Sequence, residues 1–324
     1  MSTLKSKILI TGGAGFIGTH LAERFCEKNE IVLLDNLRRD SLSNLPGLKN
    51  HPNVTFVEGN ITDKEIVSEA IKNCDTAIHL AAIAGVSSYY DQPFDTMSVN
   101  LLGTINLLEC VKDAGVKKVI DFSTSEIYGA NAFDVDENSD HVLGNIEDFR
   151  WTYATSKLAS EQLTRRYSEK YGFKGFGIRP FNIYGPRQTG EGAISNFMYA
   201  IIKKEPIIIY NDGTAIRAWC YISDMVDAIE NLLKNDNLGS ASFNIGNPKE
   251  VYSTLGLARL VTNVVGEEVP IVFKDVPRTE IRIRIPNIDK AKKFLNYNPK
   301  VGLIEGLKST YKWYKNMDKA KKLI

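Results

Sequence analysis

A glycine-rich turn near the start of the chain constrains the fold more than any other feature of the sequence. The turn, TGGAGFIG, closes the strand-like segment KILIT and opens an amphipathic helical segment, and Gly12, Gly15 and Gly18 recur in it at intervals of three residues. Glycine permits a tight turn, a close approach of the backbone to a diphosphate and close helix packing, and the helix N-terminus adds N–H donors. The segment predicts a strand, a phosphate-binding turn and a helix.

After this turn, short apolar runs continue to alternate with amphipathic helical stretches as far as VKKVIDFST. Such alternation is typical of βαβ units, and strands that are apolar throughout indicate a sheet covered on both faces. We therefore predict an α/β fold with a doubly wound parallel sheet in residues 1–178. The less regular pattern of residues 179–324 predicts a smaller C-terminal lobe, some segments of which return to the first domain.

An acidic residue indicates which dinucleotide the turn would hold. Asp35 ends the second predicted strand, where a carboxylate can accept both hydroxyls of an adenosine ribose. The same carboxylate repels a 2′-phosphate, which favours NAD over NADP even though Arg38 and Arg39 lie close in sequence.

Composition narrows the function classes. The 324 residues include 40 Lys and Arg against 39 Asp and Glu, so the formal charge of +1 offers no surplus for gripping nucleic acid. No apolar run is long enough for a membrane span, and no signal peptide is recognisable. The four cysteines and four histidines show no metal-ligand spacing. We expect a cytoplasmic protein without a membrane, nucleic-acid or metal partner.

A tyrosine and a lysine in WTYATSK form the candidate catalytic pair. Tyr153 and Lys157 are four residues apart on a predicted helix and therefore share a face. An ammonium group beside the phenol, together with a positive nicotinamide, favours the phenolate and would make Tyr153 a proton acceptor for an alcohol under oxidation. Thr124 follows a predicted strand at the sheet edge where ligands bind in doubly wound folds.

Together, TGGAGFIG, HLAA, VNLLGTINLLE, FSTSEIYG, YATSK and RPFNIYGPRQ resemble, in order, the motifs of extended short-chain dehydrogenase/reductases, in the nucleotide-sugar epimerase/dehydratase branch. The resemblance implies bound NAD, a nucleoside-diphosphate sugar substrate in the C-terminal lobe, and a homodimer. The dimer would form through helices that contain residues 100–114 and 151–171.

The resemblance also assigns roles by position. Tyr153 would be the base, Lys157 would hold the nicotinamide ribose and lower the tyrosine pKa, and Thr124 would bind the sugar 4-hydroxyl. The residues expected to contact NAD, besides Tyr153 and Lys157, are Gly12, Gly15, Phe16, Ile17, Gly18, Asp35, Asn36, Asn60, Ile61, Leu80, Ala81, Ala82 and Asn100. Those expected to bind the substrate are Asn182, Arg187, Asn196, Arg217 and Arg284.

Glu126 in STSE directs the choice of reaction. After oxidation at C4, Glu126 would take the C5 proton, water would leave from C6, and hydride would return to C6, which makes a 4,6-dehydratase the favoured function. Ser125 stands where some dehydratases of the family have an aspartic acid. The nucleotide base stays open.

Three alternatives remain. YATSK and YGPRQ resemble 4-epimerases, and Thr-Ser-Glu also resembles UDP-glucuronate decarboxylases. A decarboxylase needs a cation near the sugar carboxylate, and the sequence alone assigns none. A non-catalytic NAD-binding regulator on the same fold is the remaining alternative, because fold does not fix function.

Overall fold

The computed structural model describes residues 6–321, with side chains up to residue 317. This part of the chain divides into two compact units, each built from three separate stretches of the sequence. The first comprises residues up to Ile127, Leu143–Arg179 and Leu232–Phe243. The second comprises Tyr128–Val142, Pro180–Asn231 and the residues from Asn244 onward. That residues 1–178 bind NAD and that residues 179–324 mainly bind the nucleotide sugar stays a prediction.

The strands of the described residues number fifteen and are short. They are β1 (Lys7–Thr11), β2 (Glu30–Asp35), β3 (Val54–Glu58), β4 (Thr76–His79), β5 (Lys118–Phe122), β6 (Asn131–Val135), β7 (Lys174–Pro180), β8 (Ile183–Tyr184), β9 (Ile207–Tyr210), β10 (Ile216–Ala218), β11 (Cys220–Tyr221), β12 (Ala241–Ile245), β13 (Val251–Ser253), β14 (Ile271–Lys274) and β15 (Ile283–Pro286).

The α-helices of the same residues alternate with these strands. They are α1 (Phe16–Phe25), α2 (Pro46–Lys49), α3 (Lys64–Ala70), α4 (Val86–Asp91), α5 (Pro93–Ala114), α6 (Thr152–Tyr171), α7 (Ala193–Lys203), α8 (Ile222–Lys234), α9 (Thr254–Val265), α10 (Asp289–Leu295) and α11 (Leu303–Lys321). Short 3₁₀ turns at Ser125–Tyr128 and Phe149–Trp151 flank the segment that leads into α6.

A seven-stranded sheet in the order β12-β7-β5-β4-β1-β2-β3 forms the centre of the first unit. The five pairings from β3 to β7 are parallel. Strand order reverses beside β1, so the turn after β1 lies at the crevice where doubly wound sheets bind ligands. The predicted α/β fold with a parallel Rossmann sheet is confirmed.

Apolar strands and helices fill the first unit on both sides of this sheet. One core cluster joins Leu9 of β1, Val119 of β5 and Leu107 of α5, all at 0–1% exposure. Helices α5 and α6 pack against each other, and both end at a glycine in the left-handed region, Gly115 and Gly172. A left-handed C-terminal residue satisfies the last carbonyls of a helix, so the chain ends both helices where the sequence places glycine.

The second unit is built around a smaller sheet of order β13-β10-β15-β6. Strands β10 and β15 are parallel, whereas β13 is antiparallel to β10. Helices α7, α9 and α11 contribute Phe197, Leu257 and Leu307 to its apolar core. None of the helices in the described part of the chain is both long enough and apolar enough to cross a membrane.

Candidate active site

The turn after β1 is shaped so that only glycine fits at two of its positions. Gly12 has φ of +69°, and a Cβ there would lie 2.8 Å from the backbone nitrogen of Ala81. A Cβ on Gly18 would lie 2.6 Å from the carbonyl oxygen of Gly12. Helix α1 begins directly after Gly15, so its first N–H groups point toward the turn. The backbone therefore forms a cradle of the kind that accepts a diphosphate.

Asp35 stands beside this cradle at the end of β2. Its carboxylate accepts hydrogen bonds from the backbone N–H of Ala14, at 3.0 Å, and of Leu37, at 2.8 Å. Burial raises the pKa of Asp35 above its ordinary value, and these two N–H donors oppose that rise. The acid is thus held next to the glycine turn, where an adenosine ribose would meet it. This geometry fits the NAD predicted from the sequence.

The remaining residues predicted to contact NAD follow the carboxyl ends of neighbouring strands. Phe16 and Ile17 open α1, Asn36 follows β2, Asn60 and Ile61 follow β3, and Leu80, Ala81 and Ala82 follow β4. Because parallel neighbours present their carboxyl ends at one edge, these segments meet along the same side of the sheet.

Asn100 joins three elements of the first unit. It is 1% exposed on α5, and its side-chain oxygen accepts from the Ile83 N–H at 2.8 Å. Its side-chain nitrogen donates to the Ser156 hydroxyl on α6 at 2.9 Å. Asn100 therefore fixes the loop after β4 relative to the helix that carries Tyr153 and Lys157.

Thr124 and Tyr153 are brought together as predicted for a C4-hydroxyl site. Thr124 follows β5 and is buried, and its side chain hydrogen bonds to the Tyr153 hydroxyl. Tyr153 lies in the first turn of α6 and stacks on Tyr89 of α4, with ring centroids 5.0 Å apart and planes inclined by 7°. A substrate hydroxyl bound between Thr124 and Tyr153 would be positioned for proton transfer to the phenol oxygen.

The predicted effect of Lys157 on Tyr153 in the presence of NAD stays a prediction. In the chain by itself, burial raises the pKa of Tyr153 above its ordinary value, Glu126 and Asp121 raise it further, and the Thr124 hydrogen bond and Arg39 oppose them. The Lys157 ammonium instead faces Asp121, at 3.3 Å between Nζ and Oδ1. Because this carboxylate compensates the ammonium charge, the chain by itself does not make Tyr153 more acidic.

Arg150 is the functional candidate that the sequence analysis missed. Its Nη1 donates to Glu126 Oε2 at 2.6 Å, and the two side chains are only 6% and 11% exposed. Its guanidinium also lies over the Tyr89 ring, 5.4 Å from the centroid. Burial lowers the pKa of Arg150, but the charge of Glu126 and the hydrogen bond to it outweigh burial and raise the pKa above the ordinary value. A permanent cation therefore contacts Glu126 and the Tyr89 ring, which in turn stacks on Tyr153.

A sequence signal for Arg150 was present but weak. Arg150 lies three residues before Tyr153 and two residues after the segment 134–148, which resembles a solvated acidic loop. The structure folds Phe149–Trp151 into a 3₁₀ turn, in which the Asp148 side chain accepts the backbone N–H of Arg150. Ser125, next to Glu126, is 2% exposed.

In the second unit, the two predicted diphosphate arginines lie opposite each other. Arg217 on β10 is the register partner of Arg284 on β15. Arg284 is 6% exposed, and Arg217 donates to the Ile281 carbonyl oxygen at 2.6 Å. The two arginines therefore occupy adjacent positions on neighbouring parallel strands, whereas Arg282 is exposed.

Other residues predicted to bind substrate are placed differently. Asn182 has a positive φ of 43°, and its side chain donates to the Ala218 carbonyl oxygen next to Arg217. Arg187 also has a positive φ, of 71°, in the loop between β8 and α7. Asn196 lies on the exposed face of α7. The structure therefore groups Asn182 with the arginine-bearing strand and does not show Asn196 directed at it.

Among the described residues, the structure brings together one group with metal-ligand chemistry, Cys26, Glu27 and His51. His51 accepts the Asn53 N–H on Nδ1 at 3.2 Å, so in the neutral ring Nε2 carries the proton. That nitrogen lies 3.7 Å from Glu27. The arrangement favours a histidine–carboxylate contact over a metal centre. The predicted homodimer through α5 and α6 remains a prediction.

The chain is similar to known proteins along most of its length. Residues 8–246 match the NAD dependent epimerase/dehydratase family. UDP-glucuronic acid decarboxylase 6 of Arabidopsis thaliana is 34% identical over 93% of this chain and 86% of its own. UDP-N-acetyl-alpha-D-glucosaminuronate decarboxylase of Bacillus cytotoxicus is 31% identical over 97% and 99%.

A solved structure of UDP-glucuronic acid 4-epimerase from Bacillus cereus, in complex with UDP-glucuronic acid and NAD, aligns with a TM-score of 0.89 at 28% identity. The alignment covers 96% of this chain and 99% of that one. The chain is thus an NAD-dependent enzyme of nucleotide sugars. The chain belongs to the NAD dependent epimerase/dehydratase family.

Proposed function

We propose that this protein is an NAD-dependent decarboxylase of a UDP-hexuronic acid. The observation that carries the proposal is the buried Arg150, held by Glu126, whose backbone N–H donates to the Thr124 hydroxyl at 3.2 Å. A decarboxylase needs a cation near the sugar carboxylate, and Arg150 would supply that cation. Two of the relatives reported above are decarboxylases of UDP-linked uronic acids.

The first step is oxidation of the C4 hydroxyl. Thr124 holds that hydroxyl, and Tyr153 accepts its proton when Tyr153 is in the phenolate form. The glycine turn and Asp35 would hold NAD, which would supply the hydride acceptor for C4 and a positive charge that favours the phenolate. The 4-ketone turns the C5 carboxylate into that of a β-keto acid.

Loss of carbon dioxide then needs no base. The bond between C5 and the carboxyl carbon breaks, and its electron pair passes into the C4–C5 enolate. A proton from solvent then adds at C5, and Tyr153 returns its proton to the C4 oxygen when the ketone is reduced. Arg150 orients the carboxylate by a charge-assisted hydrogen bond. Because Glu126 already balances the guanidinium, Arg150 does not overstabilise a charge that the reaction must remove. If Arg150 had no counter-charge, it would stabilise the substrate carboxylate too strongly and so oppose decarboxylation.

We further propose that Arg217 and Arg284 bind the diphosphate of the substrate. The planar guanidinium fork matches two phosphate oxygens at once. Because the two arginines occupy adjacent positions on neighbouring parallel strands, one diphosphate can contact both. UDP is the proposed nucleotide because all three relatives reported above are named for UDP-linked sugars.

A 4-epimerase of a UDP-hexuronic acid is the second candidate. Its support is the Bacillus cereus epimerase and the likeness of YATSK and YGPRQ to epimerases. Both candidates share C4 oxidation and a substrate carboxylate near Arg150, and they differ in the fate of the ketone. The 4,6-dehydratase is less well supported, because Glu126 would have to leave its ion pair with Arg150 to take a C5 proton.

Mass spectrometry of products tests the proposal. The purified protein is incubated separately with UDP-glucuronic acid, UDP-N-acetylglucosaminuronic acid, UDP-glucose and GDP-mannose. Loss of carbon dioxide from a uronic acid is expected. Unchanged mass with inverted C4 identifies the epimerase, and loss of water from a neutral hexose identifies the dehydratase.

A further inference from the structure

A buried acid beneath Lys157 has no assigned role. Asp121 lies on β5, between its register partners His79 on β4 and Gly177 on β7, and it is 0% exposed. Strands covered on both faces are ordinarily apolar at such positions. One carboxylate oxygen of Asp121 lies 3.3 Å from Lys157 Nζ, and the other has no hydrogen-bond partner among the described residues.

Lys157 is the counter-charge of this acid. Burial raises the pKa of Asp121, Lys157 opposes the rise most strongly, and Glu161 adds to it. Lys157 is itself only 2% exposed. A buried ammonium without a counter-ion gives up its proton readily, and a buried carboxylate alone takes one up. The two opposite charges therefore compensate each other in the buried interior.

The other titratable groups around the pair are already committed. Burial and Lys157 lower the pKa of His79 well below its ordinary value, so this ring is neutral. Glu161 is bound by Arg179 at 2.8 Å. Tyr153 stays protonated because its pKa is raised. None of these groups replaces Asp121 as the anion opposite Lys157.

We propose that Asp121 is a positioning residue that, as the buried counter-charge, holds Lys157 on the face of α6 that Lys157 shares with Tyr153. The proposal rests on the role proposed for Lys157 at the nicotinamide ribose. An isosteric amide at position 121 would keep the volume but remove the anion, so the buried amine would lose its proton at lower pH and would bind NADH less well there.

NADH binding as a function of pH tests this role apart from turnover. Fluorescence titrations of the purified protein with NADH compare wild type with Asp121→Asn. Between about pH 6 and about pH 9, wild-type affinity should change less than about twofold, and that of D121N should fall about tenfold as the amine deprotonates. Because no sugar is present, the result is independent of whether the enzyme is a decarboxylase. A flat D121N profile overturns the proposal.

Three further variants make the test specific. Asp121→Glu keeps the anion and should restore the pH-independent profile; a profile like that of D121N contradicts the proposal. Asp75→Asn is the control, because it removes the carboxylate that pairs with Lys117 at the surface. Its NADH affinity should depend on pH as that of wild type does. If D121N does not fold, the double variant D121N/K157M removes both charges and should bind NADH as well as K157M alone. Weaker binding than K157M shows that Asp121 does not act through Lys157.

Discussion

The first unit contains two buried glutamate–arginine pairs that share their chemistry and differ in their surroundings. Arg179 on β7 donates through Nε and Nη2 to both oxygens of Glu161, at 2.8–3.1 Å, and Ser242 donates to the same carboxylate at 2.5 Å. Arg150 donates to Glu126 through Nη1 at 2.6 Å and lies against the face of Tyr89. We call the Arg179–Glu161 pair the clamp, because two guanidinium nitrogens bind both carboxylate oxygens. We call the Arg150–Glu126 pair the end-on pair, because one nitrogen binds one carboxylate oxygen.

Position explains this difference. The clamp ties the middle of α6 to β7, away from the residues that would touch substrate, and its geometry satisfies a carboxylate permanently. The end-on pair lies directly after β5, where parallel sheets bind ligands. An arginine held end-on can present another nitrogen to a second carboxylate. A buried ion pair that satisfies both carboxylate oxygens suits a structural role, whereas a pair joined through one nitrogen leaves donors for recognition.

Breaking the clamp should have the largest effect. Arg179→Met leaves Glu161 charged and without its guanidinium partner, so the free energy of unfolding should fall by about 3–5 kcal/mol. Urea denaturation followed by circular dichroism measures the loss. The double variant with Glu161→Leu should recover part of it. A loss below about 1 kcal/mol would show that the clamp does not stabilise the fold.

Removing the cation of the end-on pair should act mainly on catalysis. Arg150→Met should reduce kcat/KM for the UDP-hexuronic acid about 100-fold, because a buried charged hydrogen bond to the substrate is lost. Steady-state kinetics measure the effect. Arg165→Met, which removes an exposed arginine of α6, is the matched control and should leave kcat/KM unchanged. An Arg150→Met enzyme with wild-type kinetics would contradict the proposed recognition.

Acid should weaken the clamp in a defined direction. Burial raises the pKa of Glu161, but Arg179 and the hydrogen bonds around it outweigh burial and hold the pKa below its ordinary value. A carboxyl whose folded-state pKa is depressed stabilises the fold above its unfolded pKa and loses that contribution as pH falls through the folded value. Urea denaturation between about pH 7 and about pH 3 should therefore show wild type losing its advantage over Glu161→Gln. An advantage that grows on acidification would reverse this assignment.

The smallest effect is expected at the aromatic support of Arg150. Tyr89→Leu removes the ring beneath the guanidinium and the stack on Tyr153, contacts worth about 1 kcal/mol. A roughly fivefold fall in kcat/KM should follow, with the bound hexuronate still decarboxylated. Tyr89→Phe keeps both ring contacts and should retain most of the activity. If both variants are equally impaired, the hydroxyl rather than the ring matters.

Local sequence patterns were sufficient to predict much of the fold. The glycine turn, the apolar strands and the helices ended by Gly115 and Gly172 all depend on residues close in sequence. The last strand of the large sheet could not be predicted in this way. Strand β12 pairs with β7 although residues 181–240 separate the two strands in sequence. Its place in the sheet depends on this long-range pairing rather than on local periodicity.

The candidate site shows the same limit. Tyr153, Lys157 and Thr124 were found because their spacing or strand-end position carries a chemical meaning. Arg150 and Asp121 were not found, since a charged residue in a loop or strand becomes a site only through the partner that folding brings to it. Likewise, the acidity of Tyr153 could not be inferred from a nearby lysine without knowing that Asp121 compensates that lysine.

The late position of β12 has a consequence for synthesis of the chain. Until residues 241–245 have been translated, β7 is an exposed edge of a growing sheet. About 60 residues separate the end of β7 from β12, which corresponds to roughly 3–12 s at typical elongation rates. An unpaired edge can recruit strands from other nascent chains. Ribosomes closely spaced on one messenger would therefore make this enzyme vulnerable to co-translational aggregation, and slower initiation should improve its yield.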